Sequence, residues 1–242
     1  MHRITAGAFR DDREGPMQVD SGHIGKERVH FEAPPAKRLP RELKRFLAWF
    51  EKGEGDGLVH AALAHLWLVT VHPFDDGNGR VARAVTEMAL ARLEGRPERF
   101  YSLSSQVRRE RKAYYDTLEK TQRGTLDVTG WLDWFVGCFA RALDSAEEVL
   151  GDVLARAELA GRLSQAPVNG RQRTLLTRLL GGLDGKLTAK RWAAMGKCSA
   201  DTAQRDLKEL VELRLLVRNP GGSKNTSYGL QLSPPTPVGR LR

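Results

Sequence analysis

Between residues 72 and 83 the chain gathers an imidazole, adjacent carboxylates, an asparagine between glycines and a pair of arginines: His72-Pro73-Phe74-Asp75-Asp76-Gly77-Asn78-Gly79-Arg80-Val81-Ala82-Arg83. An apolar helical run ends at Val71, a turn-rich stretch follows, and helical patterning resumes near Arg80. Glycines at a helix start let a ligand approach the backbone closely. The free N–H groups and positive dipole end of that helix form a seat for anions. Arg80 and Arg83, three residues apart, project from one face of its first turn. Two cations beside an anion seat suit a polyphosphate, and a carboxylate in the same loop suits the Mg²⁺ that accompanies one. His72, at the loop entry, is placed to take a proton from an incoming hydroxyl. Each feature alone also has a plain structural reading, as a turn, a cap or a surface charge; their density in one stretch favours the joint reading. The loop is not of the G-x-x-x-x-G-K-[ST] type.

The surrounding elements must position this stretch. Leu58 to Val71 is apolar almost all round and reads as a buried central helix, with a second helix from Val81 to Leu93. Leu43, Phe46, Leu47 and Phe50 mark an earlier helix, and residues 105–119 and 128–150 mark later ones. Short β-friendly runs around a Gly-containing turn predict a hairpin over residues 17–31. Residues 164–170 read as a linker. Beyond it, helices over 172–180, 188–195 and 199–213 precede two short strands flanking Asn219-Pro220-Gly221-Gly222. That order resembles a winged helix-turn-helix over residues 171–232, and the Pro-rich tail 233–242 reads as disordered.

The chain of 242 residues carries a net charge of +9. Residues 165–242 hold 14 Lys+Arg against 5 Asp+Glu, and the rest of the chain is balanced, so the excess lies in the last third and hints at an anionic partner there. Lys197, Arg205, Lys208 and Lys224 are the candidate phosphate contacts if that partner is DNA. Cys138 and Cys198 are not spaced as a metal or redox pair and read as small apolar residues. No apolar run is long enough for a membrane span and no leader is evident, so a cytoplasmic setting is expected.

Residues 72–83 resemble the Fic family signature H-x-F-x-[DE]-G-N-G-R-x-x-R at every specified position. Gly7-Ala8-Phe9-Arg10 is similar to the G-x-[FW]-R segment before the family's hairpin, and Phe31-Glu32-Ala33-Pro34-Pro35 to that hairpin's exit. Leu103-Ser104 and Tyr114-Tyr115 are similar to later helices. The resemblance covers residues 7 to about 145. It implies an all-α fold: a Fic helical core with a β-hairpin flap over residues 1–163, ahead of the small winged helix-turn-helix domain. It also implies transfer of AMP from Mg-ATP to a Ser, Thr or Tyr hydroxyl of a target protein, with release of pyrophosphate. His72 would be the general base and Phe74 an anchor of the loop in the core. Asp76 would hold Mg²⁺. Gly77, Asn78 and Gly79 would cradle the phosphates, the Asn78 side chain included, and Arg80 and Arg83 would grip the β and γ groups. Tyr114 and Tyr115 would lie near adenine, and Val19, Ser21, Gly22, His23 and Ile24 in the flap would hold the target by strand addition. His65 matches a histidine frequent in the family and reads as a buried, hydrogen-bonded helix residue.

The family's silencing pattern, [ST]-x-x-x-E-[GN], has no match in residues 1–242. This leaves an N-terminal helix outside the sequence, or an inhibitory partner chain, as sources of control. Self-modification and a homodimer stay open. Two other functions also stay open: removal of AMP or movement of another phosphate-bearing group, and a nucleotide-responsive DNA-binding regulator.

Overall fold

The computed structural model describes residues 8–13, 15–21, 28–96, 98–182, 185–221 and 226–232. The chain divides into two compact units, Met1–Ala146 and Glu147–Arg242. Among the described residues no helix is long and apolar enough to cross a membrane.

The first unit opens with strands β1 (Gln18–Ser21) and β2 (Arg28–Glu32), paired antiparallel. Val19 faces Phe31 and Asp20 faces Val29, so His30 is an extra, bulged residue. The expected hairpin is therefore present in its strands; Gly22, His23 and Ile24 fall outside the described residues. Helices α1 (Leu39–Lys52), α2 (Gly57–Val71) and α3 (Asn78–Glu94) follow. Gly53, with φ of 61°, ends α1 in a left-handed turn that glycine adopts at little cost. Asp56 caps α2 by accepting from the Leu58 and Val59 amides at 2.9 and 3.0 Å.

Helix α2 is the centre of the unit. Ala61, Ala62 and Ala64 are fully buried, and Leu66, Leu68 and Val69 nearly so. A helix apolar on every side is stable only when neighbours surround it. Phe46 and Phe50 of α1, Ala82 and Leu90 of α3, and Trp131, Phe135 and Cys138 share its core. Trp131 satisfies its indole N–H by donating to the Ala62 carbonyl at 2.8 Å.

The single helix expected over 105–119 is instead two, α4 (Leu103–Arg109) and α5 (Arg111–Arg123). Glu110, at the junction, leaves helical geometry with φ −98° and ψ 24°. Its carboxylate receives the fork of Arg141 at 2.6 and 2.7 Å and the Gln106 amide at 2.6 Å. That charge-assisted pair ties the junction to Arg141, 31 residues along the chain.

The helix expected to end at Leu150 runs on as α6 (Thr129–Gln165). Ser164 and Gln165 of the expected linker are helical, and the chain divides into its two units after Ala146. In the second unit Leu159 and Leu163 join a core with Leu176, Trp192, Leu207, Leu210 and Leu216. Its elements are α7 (Gly170–Leu180), β3 (Leu187–Thr188), α8 (Ala189–Gly196), α9 (Ala200–Glu212), β4 (Leu216–Arg218) and β5 (Ser227–Leu230). The strands form an antiparallel sheet in the order β3-β5-β4. Asn169 and Gln172 cap α7 reciprocally, and Ser199 caps α9 by accepting from the Thr202 amide. Residues 222–225, between β4 and β5, and the tail 233–242 lie outside the described residues.

One buried carboxylate organises this second core. Asp206 is 4% exposed. It accepts the Arg171 fork at 2.9 and 3.0 Å, the Trp192 indole N–H at 3.0 Å and the Gln172 amide at 3.2 Å. Burial alone would raise its pKa; the hydrogen bonds from Arg171 and Trp192, with the Arg171 charge, outweigh it and hold the carboxyl below its ordinary range. Asp206→Ala strands those donors and is expected to destabilise this unit by about 3 kcal/mol. Amide hydrogen exchange in α7 and α9 checks it; unchanged protection would contradict the assignment.

Candidate functional site

The site grows from the way α2 ends and α3 begins. His72 is the C-cap of α2, in the left-handed region at φ 51° and ψ 59°. A β-substituted side chain reaches that region only when its surroundings hold it there. The His72 amide donates to the Leu68 carbonyl at 3.0 Å. Its ring nitrogen Nδ1 lies 3.1 Å from the Val69 carbonyl. A carbonyl can only accept, so the proton sits on Nδ1 and the lone pair on Nε2. Burial lowers the imidazole pKa, the Val69 hydrogen bond partly opposes this, and the Arg10 charge lowers it further. The ring is therefore neutral at pH 7, with Nε2 able to accept a proton.

Six residues later Asn78 closes the loop. It is 2% exposed. Its Oδ1 accepts from the Phe74 amide at 3.0 Å and its Nδ2 donates to the Phe74 carbonyl at 2.7 Å. Both ends of the carboxamide thus brace the loop. Phe74 is half-buried and its ring lies 5.6 Å from that of Phe9.

Gly77 is the N-cap of α3 at φ 89°, where a Cβ would be strained and would also come within 3.3 Å of the Arg80 guanidinium. Among the described residues no side chain caps this end of the helix. Its carbonyl accepts the first helical bonds, from Arg80 and Val81 at 2.9 and 3.0 Å. Asp76 is exposed; its Oδ1 accepts from the Gly77 amide at 2.6 Å and its Oδ2 from Arg80 at 2.9 Å. A magnesium ion of the kind the resemblance implies would find one carboxylate here, beside an anion seat. That fits an ion held mainly by substrate phosphates and water. Among the described residues no three His, Cys, Asp or Glu side chains gather into a protein-only metal cage.

Arg83, one turn on, lines a small cleft with Glu87, Ser104, Val107, Tyr114 and Trp134. Tyr114 is in its wall but its hydroxyl is engaged: it lies 2.9 Å from His65 Nε2, while His65 Nδ1 lies 2.9 Å from Thr86 Oγ1. The Thr86 hydroxyl donates to the Ala82 carbonyl at 2.8 Å. Thr86 therefore accepts from His65 Nδ1–H, and His65 Nε2 accepts from Tyr114. This chain links α5, α2 and α3 through a neutral His65, whose pKa burial, with the Arg83 charge, pushes down to about 3. Tyr115 stands apart from the cleft walls, half exposed, with Arg111 over its ring.

In the hairpin, Val19 and Ser21 are placed on β1. Ser21 Oγ lies 2.6 Å from His30 Nε2, and His30 Nδ1 2.6 Å from Glu119 on α5. Arg123 donates to the Val29 and His30 carbonyls, both available to it because His30 is bulged. These anchors of the hairpin, Glu119 and Arg123, have no local sequence signal beyond their charge. Arg10 was visible only as the end of the Gly7-Ala8-Phe9-Arg10 segment, yet its guanidinium is buried against the carbonyl of His72.

Residues 1–90 match the sequence model described as the Fic/DOC family. A protein adenylyltransferase Fic from Culex quinquefasciatus is 32% identical over 160 residues, 61% of this chain and 30% of the relative. A uridine 5'-monophosphate transferase from Xanthomonas campestris pv. campestris (strain 8004) is 43% identical over 67 residues, 24% of this chain and 12% of that protein. The chain thus spans less than a third of the length of these relatives. A Fic family protein from Desulfovibrio desulfuricans G20, solved as a crystal structure, is 23% identical with a TM-score of 0.47, over 93% of this chain and 62% of that one.

The buried His65 makes stability depend on pH. Between 6.5 and about 3 the unfolded chain binds a proton at His65 that the folded chain refuses, so stability falls as pH drops. The expected slope from this residue reaches about 1.4 kcal/mol per pH unit. Urea denaturation from about pH 7 to 4 checks it: His65→Gln should flatten the slope, and an unchanged slope would contradict the linkage.

Proposed function

We propose that this chain transfers the AMP moiety of Mg-ATP to a hydroxyl of a target protein. The observation that carries the reading is a single short loop with a neutral, Nδ1-anchored imidazole at one end and an uncapped helix N-terminus at the other. Longer alignments with adenylyltransferase relatives support the choice of AMP. The triphosphate would rest on the amides at the start of α3, with Arg80 and Arg83 supplying positive charge. Magnesium carried in with the nucleotide, held by Asp76, would screen the phosphate charge. The ion pair between Asp76 and Arg80 would then exchange for contacts to metal and phosphate. Arg83, beside the cleft that Tyr114 walls, would face the same nucleotide.

The target hydroxyl oxygen attacks the α-phosphorus. Its proton passes to His72 Nε2, the bond from the α-phosphorus to the bridging oxygen breaks, and pyrophosphate leaves. The chain contributes position, a proton acceptor in the right tautomer and compensation of charge. The hairpin would present the acceptor segment by strand addition along β1, because Arg123 already occupies carbonyls of β2.

Label from α-labelled ATP should appear on protein and label from γ-labelled ATP should not. His72→Ala should lower transfer by about 10²–10⁴-fold. Because the His72 pKa is lowered, the rate should hold through neutral pH and fall on the acid side with a midpoint below 6.5. Transfer from α-labelled UTP alone would redirect the reading to uridylylation; γ-label transfer, or undiminished transfer by His72→Ala, would overturn it.

A second activity is favoured by the second unit. Its order of helix, strand, two helices and two strands, with a three-stranded sheet, supports a winged helix-turn-helix in which α9 and its basic surroundings meet DNA. On that reading the chain binds duplex DNA with an affinity that falls steeply as salt rises. A salt titration by fluorescence anisotropy checks this; no binding at low salt would leave the unit a docking module.

A further inference from the structure

We infer that Arg10 is a positioning residue for the transfer reaction, orienting the His72 imidazole by holding the backbone on both sides of it. The inference rests on the reading of His72 as the base.

Arg10 is 4% exposed. Its Nε donates to the His72 carbonyl at 2.7 Å and its Nη2 to the Val71 carbonyl at 3.3 Å. Its backbone amide donates to the Pro73 carbonyl at 3.1 Å. Three consecutive carbonyls, 71 to 73, are therefore held by one residue. Nη2 also donates to the Pro34 carbonyl, and Nη1 pairs with Asp12. Asp12 in turn accepts the Ala36 amide. The clamp ties three segments, residues 10–12, 34–36 and 71–73, at one buried guanidinium.

Two costs explain why this contact is specific. The last carbonyls of α2 lose their helical partners where the chain turns, and buried carbonyls need donors. The left-handed backbone of His72 is uphill for a side chain with a Cβ and persists only when fixed from several directions. A planar guanidinium with five N–H groups answers both needs, and Asp12 balances its charge. The same charge also helps to keep His72 unprotonated. None of the contacts of Arg10 described above involves α3 or the residues assigned to the nucleotide, so its removal should disturb the base rather than the phosphate seat.

Lysine keeps the charge but not the planar fork, whereas alanine keeps neither. The test compares wild type, Arg10→Lys and Arg10→Ala for transfer of α-label from ATP, and follows the His72 ring by ¹⁵N-histidine NMR. Arg10→Ala should lower kcat by about 10²-fold and Arg10→Lys by about tenfold, the scale expected of a misplaced catalytic group. KM for ATP should stay within about twofold, since binding shared by ground and transition states is untouched. The His72 pKa should rise in Arg10→Ala and stay low in Arg10→Lys, and the ring should lose its pure Nδ1–H tautomer in Arg10→Ala. Folded variants with unchanged kcat, tautomer and titration would overturn the inference. A KM rise with kcat intact would also overturn it. Should Arg10→Ala fail to fold, Arg10→Lys decides alone: a lowered kcat at constant KM supports the assignment, and an unchanged kcat refutes it. Should the wild type transfer no label, the reaction reading fails, while the tautomer and titration still judge Arg10.

Discussion

Everything proposed for this protein depends on how a buried helix is brought to a stop. Helix α2 is apolar almost all round and ends at the buried Val71, so its last carbonyls need partners inside the protein. The chain meets that demand with a left-handed residue, a buried arginine and an asparagine whose carboxamide acts as a miniature strand partner for Phe74. The result is a short loop with little freedom. At its first position stands an imidazole in a defined tautomer; at its last, a helix begins with amides that none of the described side chains caps. Rigid placement of such groups is what turns ordinary side chains into a reaction site.

The layers around the loop extend the same economy of polar groups. Tyr114, His65 and Thr86 form a closed chain of hydrogen bonds beneath Arg83, ending on the Ala82 carbonyl, so α2, α3 and α5 are pinned together without a buried charge. Burial and the nearby Arg83 charge keep His65 neutral there, and in that state Nε2 accepts from the Tyr114 hydroxyl. The hairpin is anchored by a different device. A bulge at His30 turns successive carbonyls toward Arg123, and Glu119 gathers Arg28, His30 and Arg123. These contacts lie on the β2 side of the hairpin, and on the proposed reading β1 would receive the incoming strand.

Much of the site was legible because its chemistry is local. The types and spacing of His72, Asp76, Gly77, Gly79, Arg80 and Arg83 lie in one stretch, and the span of α2 follows from an apolar run. What sequence could not show depends on partners far along the chain. The pairing of Glu110 with Arg141 and the grip of Arg123 on the hairpin are such cases. The extension of α6 to Gln165 is of the same kind: Leu159 and Leu163 are buried in the second core, which periodicity around Leu150 does not foretell. Tyr114 and Tyr115, adjacent in sequence, part company for a simple reason. One points inward to His65, and the other lies outside the cleft under Arg111.

The most direct measurement is backbone amide NMR of the protein titrated with a non-hydrolysable ATP analogue and magnesium. The account predicts that the Asn78 and Gly79 amides, at the open start of α3, shift first and furthest downfield as they meet phosphate oxygens, with the Arg83 side chain following. Shifts confined to other helices, with these amides unmoved at saturation, would contradict it.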